Sequence, residues 1–401
     1  MKRRRVKITG IGFVTPAGIG VDAFRRGILS GKSFVTAIKR FDPAAGPFVA
    51  SEISDFKLSK YVREIPARKI PRHSQFALAA AHLALADAGH VPGAVEARGP
   101  IVVSGTAIMD SDVVNKTIQN VERKGPRYAL PRVVYDGPVS SISATVAESI
   151  GCSRTMSLQT ACCSGSDAIG HAAAMVASGE SDIAICGGTE APIFYHPMLE
   201  LKQAGLSPAT DDRPEELGRP FDLWRTTGII GEGACFLVLE PDSSPKPAYA
   251  YVTGYAFASD PMGNPGAGLL EAIKHCVSNA SLHSSAIDLI NAWGPGHVVI
   301  DAAEVAALRG YFGAALDRIP AVSIKGAVGN PFAAAGAIQA GCVALGMRES
   351  FVPPTVNWRH LDPDCRLNLS AKTRLISTQT ALINAHGISG TNSCLALQKC
   401  V

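Results

Sequence analysis

Residues Ser157–Glu190 read SLQTACCSGSDAIGHAAAMVASGESDIAICGGTE. A short apolar strand over Met156–Gln159 enters the turn Thr160-Ala161-Cys162-Cys163-Ser164-Gly165, and a predicted helix made largely of Ala, Gly and Ser follows. Side chains this small let a helix lie deep in a core, close to the backbone of its neighbours. A cysteine at such a strand-to-helix turn aims its sulfur at the helix N-terminus, where the dipole and free N–H groups favour thiolate over thiol. Taken by itself, the same cysteine is equally a small residue of the core. The vicinal pair Cys162-Cys163 thus presents two readings, nucleophile or packing.

Outside this stretch, strands and helices alternate, the pattern of an α/β protein with buried sheets. Strands are predicted at Ile101–Val103, Asp182–Cys186 and Cys235–Leu239, and a helix over Ser74–Ala88, where apolar side chains keep helical spacing up to Gly89. The turn-rich PDSSPKP at Pro241–Pro247 separates two alternating halves, residues 1–240 and 241–401. The halves echo each other in order. VKITGIGF from Val6 resembles AYVTGYAF from Ala250, the Ser157 stretch has a partner beginning at Val322, and ACFLVLE from Ala234 answers to SCLALQ from Ser393. A duplicated α/β unit follows.

With 401 residues, 47% hydrophobic and 18% charged, the chain can bury one large core or two fused ones. A formal charge of +4 is too small to argue for a nucleic-acid partner. The basic opening Met1-Lys2-Arg3-Arg4-Arg5 leads into Val6–Val14, whose lysine and glycines mark a first strand rather than a secretory signal. No run approaches the roughly 18 apolar residues of a membrane span, so a soluble, cytoplasmic protein is expected. None of the ten cysteines forms a C-x-x-C pair, and neither a metal site nor a redox disulfide is expected.

TACCSGSDAIGHAAAMVASGESDIAICGGTEA resembles the nucleophile segment of the elongating β-ketoacyl-acyl-carrier-protein synthases, and the resemblance runs the whole chain. VKITGIGFVTPAG is similar to the family's opening strand and turn, GRPFD at Gly218 with GEGACFLVLE to the end of its first half, PPTVNW at Pro353 to a late loop, and NAHGISGTN at Asn384 to its glycine-rich active-site loop. The resemblance implies a thiolase fold: two pseudo-symmetric α/β halves forming a layered α-β-α-β-α core, assembled as a homodimer or as a heterodimer with a related synthase. It also implies Cys162 as the acyl-accepting nucleophile, with no cofactor beyond a phosphopantetheine arm on the substrate, delivered by an acyl carrier protein or as acyl-CoA. An oxyanion hole would be formed by the N–H groups of Cys162 and Ile388.

The departures from that family are informative. It uses a Cys-His-His set in which two histidines help remove CO2 from a malonyl thioester. Here the first histidine is replaced by Trp293 and the second by Asn330. Asn330 before Pro331 reads as an N-cap of a helix running to Met347, although its amide is also a possible donor to a thioester carbonyl. Trp293 offers an apolar face and one indole donor. Two threonines that hold the pantetheine arm in the family are Pro295 and His297. His386, where the family usually has Phe, and His297 are each a candidate relocated base for Cys162 or an ordinary loop histidine. Lys325, Asp301 and Glu304 match residues behind the family's site and read as a buried charge network. Arg68, Lys69 and Arg72 align with the rim that receives the acidic carrier protein, or form a solvated basic face.

Three functions compete: an acyltransferase that loads Cys162 without decarboxylating, a condensing enzyme rescued by His386 or Asn330, and a catalytically silent partner that shapes a chain-length pocket. Retention of Cys162 counts against the third, because silent partners in the family replace that cysteine.

Overall fold

Strand β1 (Val6–Thr15) lies at the middle of the main sheet of a computed structural model that describes residues 3–42, 46–63, 65, 67, 70–92, 95, 99–108 and 111–400. The remaining strands are β2 (Gly18–Ile19), β3 (Val35–Ala37), β4 (Val49–Ser51), β5 (Ile101–Gly105), β6 (Arg154–Leu158), β7 (Ala184–Glu190), β8 (Gly233–Pro241), β9 (Ala250–Ser259), β10 (Leu289–Asn291), β11 (Ala321–Val322), β12 (Thr380–His386) and β13 (Thr391–Lys399). The main sheet runs β11-β10-β12-β13-β9-β1-β8-β7-β5-β6. Counting only the five strands that each half places on this path, both repeat one order outward from the central pair: first, fifth, fourth, second, third. The echoes in sequence fall on corresponding places, β1 with β9, β8 with β13, and the turns after β6 and β11.

Alternation along β8 explains how one strand serves two layers. Ala234, Phe236 and Val238 face an outer cluster with the helices Arg72–Asp87 and Ser140–Ile150, whereas Cys235, Leu237 and Leu239 face an inner one. The helices Ser164–Ser178 and Ala333–Glu349 fill the space between the halves, and Ala267–Asn279 with Val298–Phe312 cover the far face of the second. The layers are therefore helix, sheet, helix, sheet, helix. Gly10 and Gly12 of β1 allow the close approach of the first outer helix. A methyl carbon at either would lie 2.1 Å from the Ala84 carbonyl oxygen or 1.9 Å from that of Ala80. Among the described residues, no helix is long and apolar enough to cross a membrane.

Candidate active site

The turn after β6 is wound tightly before its helix begins. Ala161 adopts a left-handed conformation with φ 52°, uncommon for a residue with a side chain, and Thr160 and Cys162 form an isolated bridge across it. Glycines make room for the winding. A methyl at Gly105 would meet the Ser164 carbonyl oxygen at 2.2 Å, and one at Gly165 or Gly188 would meet that of Ala333 at 2.2 or 2.3 Å. Cys163 caps the helix Ser164–Ser178 and buries its sulfur 3.4 Å from the Thr391 carbonyl oxygen. Cys162, one residue outside the helix, is 2% exposed and opens on a pocket.

Burial, not the helix dipole, governs the Cys162 thiol. It is pushed up to about 12, because desolvation outweighs the N–H groups of Ile388 and of Cys162 itself that point at the sulfur, with the charge of Glu190 raising it further and that of Lys325 opposing. The expected thiolate is thus corrected to a thiol at neutral pH. The same two N–H groups are the pair assigned to an oxyanion hole by resemblance, and the fold brings them together on one atom.

The turn that carries Trp293 is pinned from beneath. Glu304 accepts the N–H groups of Trp293 and Gly294, both at 2.8 Å, and the Asn384 amide at 2.9 Å. Asp301 accepts from Phe221 N–H at 2.7 Å and Gly296 N–H at 3.1 Å, and burial raises its carboxyl to about 7. Lys325 donates to the Trp293 carbonyl at 2.5 Å and to Gln339 Oε1 at 3.1 Å, with its ammonium 3.7 Å from the centroid of the Trp293 ring. Burial lowers Lys325 to about 7 against the opposing charge of Glu304.

Asn330 is not a helix cap. Its backbone pairs with the segment around Ile230, N–H to the Ile229 carbonyl at 2.6 Å and carbonyl from Gly231 N–H at 3.0 Å, so the chain is extended there and the helix starts only at Ala333 after Phe332. Glu190, which the sequence reading passed over, receives that helix's first N–H together with those of Ala107 and Ile108. Its only signal was a polar residue ending the apolar run before Ala191. Asn330 Oδ1 is sealed from solvent without a hydrogen-bond partner, and Asn330 lines the pocket.

His297 caps the helix Val298–Phe312, its Nδ1 accepting Val299 N–H at 3.2 Å. His386 ends β12 with Nδ1 2.6 Å from Asn392 Oδ1. Both line the same pocket as Cys162, Trp293, Pro295 and Ile388. The cleft they line has a volume of about 420 Å³, open solvent at its mouth included. Arg72 is turned inward rather than toward a docking rim, bonding Glu232 at 2.7 Å and stacking on Phe76, while Arg68 and Lys69 lie outside the described residues.

The chain matches the family models described as beta-ketoacyl synthase, N-terminal domain, over residues 3–244, and beta-ketoacyl synthase, C-terminal domain, over residues 249–359. It is 30% identical over 411 residues to the 3-oxoacyl-[acyl-carrier-protein] synthase 2 of Coxiella burnetii, covering 100% of this chain and 99% of the relative. It is likewise 30% identical to the tetracenomycin polyketide synthase ketoacyl synthase alpha subunit of Streptomyces glaucescens, covering 99% and 97%. Among solved structures, the ishigamide ketosynthase/chain length factor superposes with a TM-score of 0.93 at 28% identity over 100% of both chains. A ketosynthase bound to a hexaketide and in complex with its type II polyketide synthase acyl-carrier protein gives 0.88 at 27%, over 99% and 100%. These neighbours have the thiolase fold, and the five layers above are that fold.

Proposed function

Since this chain belongs to the β-ketoacyl synthase family of fatty-acid and polyketide biosynthesis, we propose that it loads an acyl group onto Cys162 and transfers it to an acceptor without releasing CO2 from a malonyl unit. The donor is a phosphopantetheine thioester, on an acyl carrier protein or as acyl-CoA. The observation that carries this reading is the composition of the pocket. Cys162 keeps two N–H donors aimed at it, whereas the places aligned with both condensing histidines hold an indole and an amide.

The N–H groups of Cys162 and Ile388 supply an oxyanion with fixed donors, each worth on the order of 10²- to 10³-fold in rate. Trp293 is 1% exposed with Lys325 over its ring face, and its indole N–H, unlike an imidazole, does not titrate near neutral pH. Asn330 lines the pocket with an amide, which can hydrogen-bond but carries no titratable proton. Pro295 and His297 at the mouth offer the pantetheine arm one ring donor in place of two hydroxyls. Mass spectrometry after incubation with acyl-carrier-protein thioesters tests the reading. It expects a covalent acyl adduct that maps to Cys162 and disappears in Cys162→Ala; an intact protein without adduct removes it and leaves the silent-partner alternative.

A further inference from the structure

The two pocket histidines are held in opposite tautomers. His386 sits directly across from Asn392 in the β12–β13 ladder, with Nδ1 2.6 Å from Asn392 Oδ1. The Asn392 amide is oriented from its other end, where Nδ2 donates to Asp260 Oδ1 at 2.9 Å and to the Gly390 carbonyl at 3.0 Å. Only an NH2 group satisfies two acceptors, so oxygen faces the imidazole. Nδ1 of His386 therefore carries the proton, and Nε2 keeps its lone pair. Asp260 is itself fixed, accepting the N–H groups of Gly266 at 3.1 Å and Gly268 at 2.8 Å, and its Oδ2 lies 3.9 Å from His386 Nδ1.

His297 is the reverse. Its Nδ1 accepts Val299 N–H, which places the ring proton on Nε2, and a second proton on Nδ1 would break the cap at a positive helix end. Burial, then Arg225, lowers its pKa in the same sense. One ring thus keeps a lone pair on Nε2, and the other carries its proton there.

We propose that His386 Nε2 is the base that removes the Cys162 thiol proton during acyl uptake, with Asn392 and Asp260 as positioning residues that act through it. The proposal rests on the acyl-uptake reading above. It gives a buried thiol the base that such a thiol requires. The glycine after His386 packs against the turn, a methyl there lying 3.5 Å from Cys162 N, and the next residue donates to the sulfur. In the step, the Cys162 S–H proton moves to Nε2 as sulfur attacks the thioester carbon, and the carbonyl pair shifts to oxygen under the N–H groups of Cys162 and Ile388. Collapse reforms the carbonyl and breaks the bond to the pantetheine sulfur, which leaves with the proton from Nε2. No further reactant is consumed.

Nitrogen-15 spectra of the unmodified, histidine-labelled protein test the geometry directly, the His386 signals being those lost in His386→Gln. The expected result is a ring protonated at Nδ1 for His386 and at Nε2 for His297; a His386 ring protonated at Nε2 overturns the proposal. Acyl uptake from a short-chain N-acetylcysteamine thioester, followed by intact mass, tests the role. His386→Ala should slow it about 10²-fold, with partial recovery in free imidazole. Asn392→Leu should slow it less and shift the midpoint of its pH profile, for which the facing titratable groups are Asp260, Cys162 and His297. Uptake at the unmodified rate in His386→Ala overturns the proposal alone, whereas an unmodified protein that forms no adduct removes it together with the acyl-uptake reading.

Discussion

At Trp293 the indole ring and the Lys325 ammonium, 3.7 Å apart, satisfy each other in a site from which water is excluded. That pairing has a catalytic consequence. Loss of CO2 from a malonyl thioester leaves an enolate whose oxygen must be neutralised, and neither an indole committed to a cation nor the Asn330 amide brings a titratable proton. Each missing imidazole should cost on the order of 10²-fold in rate. Purified protein is thus expected to release CO2 from malonyl-carrier-protein far more slowly than a Cys-His-His synthase assayed beside it, and Trp293→His with Asn330→His should raise the release. Equal rates in the unmodified protein would contradict the assignment. Glu190 carries a second expectation. Burial raises its carboxyl from the usual 4.5 to about 8, so between those values the folded chain holds a proton that the unfolded chain has lost. The stability it contributes is complete below the lower value and disappears as pH rises through the higher one. Thermal midpoints should fall between pH 6 and pH 8.5, and Glu190→Gln should flatten that fall; an identical fall in the variant would locate the cause elsewhere.

The elements that sequence periodicity revealed are those whose neighbours repeat along the chain. β1, β8, β9 and β13 alternate or run apolar, and their echoes survive because each half buries the same faces. Where a distant partner decides the local conformation, the reading failed. Asn330-Pro331 has the chemistry of a helix start, but pairing with Ile229 and Gly231, about a hundred positions earlier, holds it extended and defers the helix to Ala333. The Cys162 turn and the glycine-rich loop were legible because they are contiguous motifs. Asp260 was not, being 132 positions from Asn392 with no motif around it. Packing between elements is testable at Gly12, where a methyl would sit 1.9 Å from the Ala80 carbonyl oxygen. Gly12→Ala must push the helix Arg72–Asp87 off β1 and should cost about 1–3 kcal/mol, read as an earlier urea midpoint. An unchanged midpoint would mean that the helix is free to slide.

Across the whole molecule, the ten-strand path leaves two edges, and they are unequal. β11 has two residues and follows Pro320, a protected end. β6 has five, and Met156 and Leu158 on it pack against the inner core while remaining partly exposed. An edge of that length with apolar side chains is a template for another strand, and a chain that stayed monomeric would be exposed to aggregation through it. β6 also leads directly into Thr160 and Cys162, so a partner on that edge would lie beside the Cys162 turn. A second copy is the simplest cover, because two identical edges can meet across a two-fold axis with each strand pairing its own equivalent. Light scattering at micromolar concentration is accordingly expected to give twice the chain's 41.8 kDa. Met156→Lys, which sets like charges against each other across such an axis, should shift the distribution toward the single chain. Loss of acyl uptake in parallel with dissociation would tie the interface to the turn. A single-chain mass for the unmodified protein would exclude the homodimer and leave pairing with a related synthase as the way this edge is closed.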